Sequence, residues 1–158
     1  MIVSYRESPG PAALFARLPR LVAFVRCAID IRNIDVRAAS SAGVLVTQAN
    51  AGFVTAVTEL VFGMMVDLAR GVSRAASDYH AGRVPEARMG VQLAGATLGV
   101  IGYGAIGRRV AKIGRAFGMR VLVCDPHAKA YDPRVLQVSL EALLEASDFV
   151  VPLAVANA

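Results

Sequence analysis

The 158-residue chain predicts an α/β fold, a parallel sheet with flanking helices. Short runs of β-branched residues alternate with longer segments of helical periodicity, which is typical of βαβ units. Hydrophobic residues make up 56% of the chain and charged residues 18%, so there are enough apolar side chains to build a core. No internal repeat or low-complexity block competes with this interpretation.

The elements follow from apolar runs and from the residues that bound them. A short helix over Asp35–Ser41 is expected to end at Gly43, and Tyr79–Gly90 is a connection containing glycine and proline. The five predicted strands are Leu21–Val25, Val44–Thr47, Thr97–Ile101, Arg120–Cys124 and Phe149–Leu153. The remaining predicted helices are Val54 to Asp78, Ala105–Phe117, with a stripe of Ile106, Val110, Ile113 and Phe117, and Ser139–Ala146, with a stripe of Leu140, Leu143 and Leu144.

The longest predicted helix, Val54 to Asp78, is apolar on several sides. Such a helix is usually buried on several sides, either as a central core helix or between a domain and a second subunit. At the other end of the chain, Phe149 to Ala158 form a strand with no closing helix. We therefore expect the chain to be part of a longer domain.

Composition excludes several classes of function. The net charge of +5 comes from scattered residues without aromatic interleaving, so nucleic acid is not an expected partner. The uncharged stretch Met89–Gly107 has the length of a membrane span, but six of its nineteen residues are glycine, which favours a strand and a glycine loop. The N-terminal residues lack the pattern of a secretory signal, and the two cysteines are too few for a disulfide scaffold. These features predict a cytoplasmic protein.

The most informative motif is the glycine loop Gly102-Tyr103-Gly104-Ala105-Ile106-Gly107. A strand precedes it, an amphipathic helix and a second strand follow, and Asp125 stands at the end of that strand. This is the dinucleotide-binding arrangement of a Rossmann-like fold, and the context makes it far more specific than the glycines alone.

Each position in this motif has a physical role. Gly102 permits the tight turn, Gly104 admits the pyrophosphate, and Gly107 lets the helix pack against the strand. The N–H groups of Ala105 and Ile106 would face the phosphates at the helix N-terminus. Asp125 would accept hydrogen bonds from the adenosine ribose and repel a 2′-phosphate, which predicts NAD rather than NADP.

One other interpretation of the site residues stays open. Methyltransferases that use S-adenosylmethionine also place an acid after the second strand, although they need the third glycine less strictly. His80 and His127 lack an acid at a spacing that predicts a catalytic pair, so both are expected at the surface. We assign no catalytic residue and no metal ligand from the sequence.

Beyond the glycine loop, the chain from about Leu18 to Ala158 resembles the D-isomer-specific 2-hydroxyacid dehydrogenases. The matching segments occur in the family's order: Leu18–Leu21, Asn33–Asp35, Gly43–Val46, Thr58–Leu60, Leu68–Arg70, Leu93–Gly99, Phe117–Met119, Cys124–Pro126 and Ser147–Val150. The resemblance implies a partial substrate domain over residues 1–48, whose opening strand and helix are missing or abbreviated, and the N-terminal part of an NAD-binding Rossmann domain over residues 49–158. It also implies a homodimer formed through the long helix.

For function, the resemblance implies an NAD-dependent oxidoreductase that interconverts a small 2-hydroxy acid and its 2-keto acid. The family's catalytic arginine, glutamate and histidine have no counterpart in this chain, so the chain alone is expected to be inactive. The alternative is a non-catalytic NAD-binding interaction or sensor module. The chain departs from the family at Ala28 and Asp30, where glycine is usual, and an inward carboxylate at Asp30 would repel an acidic substrate.

Overall fold

The computed structural model describes residues 1–50 and 52–154. They form two compact units, Met1–Gly52 and Phe53–Ala158. Both are built from parallel strands with helices between them, so the predicted α/β class is confirmed. Across the described ranges, no helix combines the length and the hydropathy needed to span a bilayer.

The first unit is a three-stranded parallel sheet in the order β1-β2-β3. Its core includes Phe15 and Phe24, whose rings meet edge to face with centroids 5.8 Å apart. The Asp35 side chain caps α2 by accepting a hydrogen bond from the Ala38 N–H at 2.9 Å. The elements are β1 (Ile2–Ser4), α1 (Ala12–Arg17), β2 (Ala23–Arg26), α2 (Val36–Ser41) and β3 (Leu45–Thr47).

The opening strand and helix were not predicted from the sequence. They are short, three and six residues, and β1 buries only Ser4 fully, so neither has a clear hydrophobic period. The other elements of this unit match their predicted positions within two residues.

Arg26, at the end of β2, is the largest fully buried side chain among the described residues. Its guanidinium donates to the backbone carbonyls of Tyr5 and Arg6, to the Ser8 carbonyl at 2.8 Å and to Asn33 Oδ1 at 2.8 Å. A buried cation is costly unless its hydrogen bonds are satisfied. Arg26 therefore ties together the two loops that leave the carboxyl ends of β1 and β2.

The second unit contains a four-stranded parallel sheet in the order β6-β5-β4-β7. Parallel strands bring their carboxyl ends to one edge of the sheet, where ligands bind in open α/β folds. Strands β4 and β5 have their predicted bounds, whereas β6 was missed because it is only three residues long. The elements are α3 (Val54–Arg70), α4 (Val72–His80), β4 (Thr97–Ile101), α5 (Ala105–Ala116), β5 (Arg120–Cys124), β6 (Val135–Gln137), α6 (Leu140–Ala146) and β7 (Phe149–Pro152).

The prediction of one helix from Val54 to Asp78 is wrong, because the chain breaks at Gly71. Gly71 adopts a left-handed conformation with φ of 68°, which ends α3. Asp67 accepts hydrogen bonds from the N–H and the hydroxyl of Ser73 at 2.5 and 2.7 Å, and these bonds lower its pKa. This carboxylate caps the start of α4, so one side chain joins the two helices.

Helix α3 buries one apolar face and leaves a second apolar face exposed. Phe62 and Met65 are buried, and Phe62 stacks on Phe117 with centroids 5.2 Å apart. On the exposed face, Leu60, Met64 and Leu68 are 57%, 57% and 78% exposed. Since these three residues are spaced by one helical turn each, they form a single stripe, which we call the α3 stripe.

Two predicted helix stripes are corrected by the structure. In α5 the predicted Val110 is buried, and Ile106 and Ile113 are partly buried against the same core, whereas Phe117 is exposed. The buried face also includes Gly107, Ala111 and Gly114, because small residues let the helix backbone approach the strands. In α6 only Leu143 is buried, while Leu140 and Leu144 are exposed.

Candidate functional site

The glycine loop joins the carboxyl end of β4 to the first turn of α5. Gly102 has φ of 96°, and its N–H donates to the Cys124 carbonyl at 2.8 Å. A Cβ added to Gly102 would lie 2.8 Å from the Ala154 nitrogen, so both the backbone angle and the space exclude a side chain. The fold itself therefore requires this glycine.

Gly107 allows α5 to approach the loop. A Cβ at this position would overlap the carbonyl oxygen of Gly102 and lie 3.4 Å from the side chain of Val100. The obstructing atom belongs to the backbone and cannot rotate away. This second glycine is also required by the fold.

Gly104 differs from the other two glycines of the motif. Its φ of −74° and ψ of −159° are open to any L-residue, and a Cβ added there would meet no atom within 4 Å. The folded chain thus gives no steric or conformational reason for glycine at position 104. Close approach of an external group to the backbone supplies one.

Gly104 opens onto the N-terminus of α5. No side chain of the described residues caps this end, and its first turn contains no acidic residue. The N–H groups of Ala105 and Ile106 in the first turn precede the first intrahelical bond, from the Arg108 N–H to the Gly104 carbonyl at 3.0 Å. With the helix dipole, these N–H groups favour an anion such as a pyrophosphate.

Arg108 adds a positive charge beside this loop. Its Nε donates to the Tyr103 carbonyl at 3.1 Å, and its guanidinium carbon lies 5.5 Å from the centre of the Tyr103 ring. In the structure its side chain folds back onto the glycine loop, and Arg115 pairs with Asp132 at 2.6 Å.

Asp125 lies just after β5, next to the glycine loop. Its Oδ2 accepts a hydrogen bond from the Tyr103 N–H at 2.6 Å, and its Oδ1 accepts from the N–H groups of His127 and Ala128 at 2.7 and 2.9 Å. The Tyr103 N–H, followed by the His127 N–H, holds the pKa of Asp125 below its usual range. The carboxylate is therefore ionised at neutral pH and joins the glycine loop to the turn after β5.

The structure also shows a residue that the sequence did not single out. Gln137 ends β6 beside β5, and its side chain bonds to the backbone of residues 125, 128 and 130. A lone glutamine in a three-residue edge strand carries no sequence signal. Only the parallel pairing of Val123 with Gln137 places it at the site.

In the first unit, Asp30, which stands where the family usually has glycine, forms an ion pair with Arg32. Asp30 accepts from Arg32 Nε at 3.0 Å and from Arg32 Nη2 at 2.8 Å, and this pairing holds the pKa of Asp30 well below its usual range. Both residues line an open cavity of about 480 Å³ with Arg6, Glu7 and Asn33. The negative charge of Asp30 is thus neutralised locally by its own loop.

Neither histidine forms part of an acid–base pair in the described ranges. His80 ends α4 and His127 follows Asp125, both exposed, and neither side chain hydrogen-bonds a carboxylate. Residues 1–50 and 52–154 contain no group of three or more histidine, cysteine or acidic side chains that would hold a metal ion.

Comparison with known proteins identifies the family. The protein-family model described as "D-isomer specific 2-hydroxyacid dehydrogenase, NAD binding domain" matches residues 62–158. The chain belongs to this family. The matched domain is an NAD-binding domain, and NAD is its cofactor.

Similar proteins carry several related activities in their names. The hydroxypyruvate reductase of Thermotoga maritima is 38% identical over 126 residues, covering 79% of this chain and 41% of that protein. The glyoxylate reductase of Korarchaeum cryptofilum is 33% identical over 157 residues, covering 94% and 47%. The chain therefore spans less than half the length of these relatives.

Solved structures agree with this assignment. The D-lactate dehydrogenase of Aquifex aeolicus, solved with NAD and lactic acid, superposes with a TM-score of 0.81 at 30% identity, covering 96% of this chain and 46% of that one. The apo D-lactate dehydrogenase of Escherichia coli gives a TM-score of 0.87 at 28% identity, covering 98% and 51%.

Proposed function

We propose that the chain is the cofactor-binding part of an NAD-dependent D-2-hydroxyacid dehydrogenase, and that the complete enzyme interconverts a small 2-hydroxy acid and its 2-keto acid. The observation that carries the proposal is Gly104, a glycine that the fold does not need, set against the uncapped N-terminus of α5. A pyrophosphate in contact with the backbone explains both features.

In this proposal, the cofactor-binding residues are Gly102, Gly104, Ala105, Ile106, Gly107 and Asp125. The N–H groups of Ala105 and Ile106 bind the pyrophosphate. The Asp125 carboxylate binds the adenosine ribose and disfavours a 2′-phosphate, since it is ionised at neutral pH. Three backbone N–H groups use most of its roughly four lone-pair positions, so a ribose hydroxyl takes the remaining position or displaces a backbone donor.

We assign residues 1–48 to a substrate domain and 49–158 to the opening of the NAD domain. Turnover needs residues beyond these 158, because the chain spans less than half the length of its curated relatives and neither histidine side chain in the described ranges hydrogen-bonds a carboxylate. The NAD domain supplies the hydride acceptor or donor when the cofactor is bound. The chain alone therefore binds NAD without oxidising a hydroxy acid.

We further propose a homodimer that buries the α3 stripe, since an exposed row of Leu60, Met64 and Leu68 is typical of a protein interface. A cytoplasmic location fits the free and exposed thiol of Cys27, which a reducing compartment preserves.

Titration calorimetry with NAD and NADP, on the chain and on its Asp125→Ala variant, tests the proposal. We expect NAD to bind more tightly than NADP, and the variant to lose most of this preference. An NADH assay with D-lactate and D-glycerate runs in parallel and should detect no turnover. Equal binding of both dinucleotides would contradict the assigned role of Asp125, and NADH formation would contradict the need for further residues. If a longer natural form of the protein self-associates in response to NAD and shows no turnover, the alternative sensor function would be favoured instead.

A further inference from the structure

Gln137 fixes the turn that carries Asp125. Its Nε2 donates to the carbonyl oxygens of Asp125 and Ala128, both at 2.9 Å, and its Oε1 accepts from the Ala130 N–H at 3.1 Å. The two amide hydrogens and the amide oxygen are therefore all used. One side chain holds three backbone groups that are spread over six residues.

The backbone of this turn depends on two side chains. The Asp125 carboxylate accepts from the N–H groups of His127 and Ala128, and Gln137 bonds to the Asp125 and Ala128 carbonyls and to the Ala130 N–H. No bond between two backbone groups within residues 125–131 joins them in the structure described. The hydrogen bonds that hold the backbone of this turn therefore come from the side chains of Asp125 and Gln137.

Strand pairing fixes the backbone position of Gln137 in the sheet. Gln137 is the last residue of β6 and lies opposite Val123 of β5, and the Val138 N–H donates to the Val123 carbonyl at 2.9 Å. Val123 is fully buried and lies two residues before Asp125. The glutamine side chain thus connects a fixed point of the sheet to a turn whose Ala128 and Ala130 side chains are partly buried against the core.

We propose that Gln137 is a positioning residue for cofactor recognition: it holds Asp125 where the carboxylate meets the adenosine ribose and rejects a 2′-phosphate. This inference rests on the proposed NAD-binding function. A turn released from Gln137 leaves the carboxylate free to move, so NAD loses a preformed contact and NADP meets a weaker repulsion. Gln137 therefore affects the selectivity between the two cofactors and not only the stability of the fold.

Two substitutions at position 137 remove different sets of the hydrogen bonds that the Gln137 side chain makes. Gln137→Met keeps a similar side-chain length and removes all three bonds. Gln137→Glu keeps the acceptor for the Ala130 N–H but directs a carboxylate at two carbonyl oxygens, so we expect it to perturb the turn at least as strongly. Gln92→Met is the matched control, because the exposed Gln92 side chain makes no hydrogen bond within the described ranges.

Calorimetry with NAD and NADP on these variants tests the proposal. A net hydrogen bond of about 1 kcal/mol corresponds to roughly a fivefold change, so Gln137→Met should raise the Kd for NAD about fivefold. The Kd for NADP should stay the same or fall, which lowers the NADP/NAD ratio of Kd values. The Gln92→Met control should keep the ratio of the parent chain.

The outcomes distinguish this inference from the proposed function. If the parent chain does not bind NAD, the proposed function fails and this inference fails with it. If the parent chain binds NAD and Gln137→Met keeps the same ratio of Kd values, only the role of Gln137 is refuted, even if the variant unfolds at a lower temperature. Amide exchange of the parent chain is a second measurement that needs no variant: protection of the Ala130 N–H supports the inference, and exchange at the unprotected rate overturns it.

Discussion

Gly104 offers a sharp test of the glycine loop, because the fold and the ligand make different demands on it. We expect Gly104→Ala to fold at least as stably as the parent chain and to lose most of its affinity for NAD. The backbone angles at Gly104 suit alanine, and the new Cβ meets no atom within 4 Å. A glycine-to-alanine change at such a position typically stabilises a protein by about 0.4–1 kcal/mol.

The effect on binding follows from the bonds that the methyl group would prevent. Hydrogen bonds from N–H groups to a charged ligand contribute about 1.5–3 kcal/mol each. If the methyl group prevents one of the bonds from Ala105 or Ile106, the Kd for NAD should rise about tenfold to a hundredfold.

Two other glycines serve as comparisons. Gly107→Ala should destabilise the fold by about 1–3 kcal/mol, because the Cβ would overlap the Gly102 carbonyl. Gly63→Ala, on an open face within α3, should stabilise the helix by roughly 0.5–1 kcal/mol without changing NAD affinity. Urea unfolding measures the free energies, and calorimetry measures the Kd values. Unchanged NAD affinity in Gly104→Ala would refute the proposed approach of the pyrophosphate, and a loss of stability in that variant would show that the fold requires this glycine.

Three further predictions concern other parts of the molecule. Asp125 has a depressed pKa in the folded chain, so its contribution to stability is present above the ordinary value of 3.8 and is lost as the pH falls through the lower folded value. NAD affinity measured by calorimetry should stay constant from about pH 7 to about pH 5, because Asp125 remains ionised over this range, and a fall within it would contradict an ionised Asp125 as the ribose acceptor. Arg26→Met should lower the free energy of unfolding by about 1–3 kcal/mol, because three backbone carbonyls and Asn33 Oδ1 lose their donor in partly buried hydrogen bonds; a urea midpoint equal to that of the parent would count against this role. Leu68→Glu should shift the chain from dimer to monomer in analytical ultracentrifugation, whereas a dimer of unchanged affinity would exclude the α3 stripe as the interface.

Local sequence pattern predicted the centre of the second sheet well. Strand β4 is apolar after Thr97 and strand β5 is apolar after Arg120, and Gly102 and Asp125 directly follow their ends. In buried parallel strands, such runs and their flanking residues define the element with little help from tertiary contacts. The position of the glycine loop followed directly from these two strands.

Features that depend on tertiary contacts were not predictable. The break at Gly71 was missed because a single glycine is tolerated inside many helices; in the structure Gly71 adopts a left-handed conformation and Asp67 caps the start of α4. Two sets of hydrogen bonds join backbone groups to side chains that are distant in sequence: the bond from the Tyr103 N–H to Asp125, and the bonds of the Gln137 side chain to the turn after β5. Sequence spacing does not encode such bonds, since they arise from strand pairing.

The most direct test of the account is an NMR titration of the ¹⁵N-labelled chain with NAD. We predict that the amide signals of Ala105 and Ile106 shift the most, that the turn after Asp125 shifts with them, and that Gly104→Ala suppresses both responses. Saturable shifts confined to residues outside the glycine loop and the turn after β5, or no shifts at all, would contradict the claim that this chain binds NAD through the N-terminus of α5.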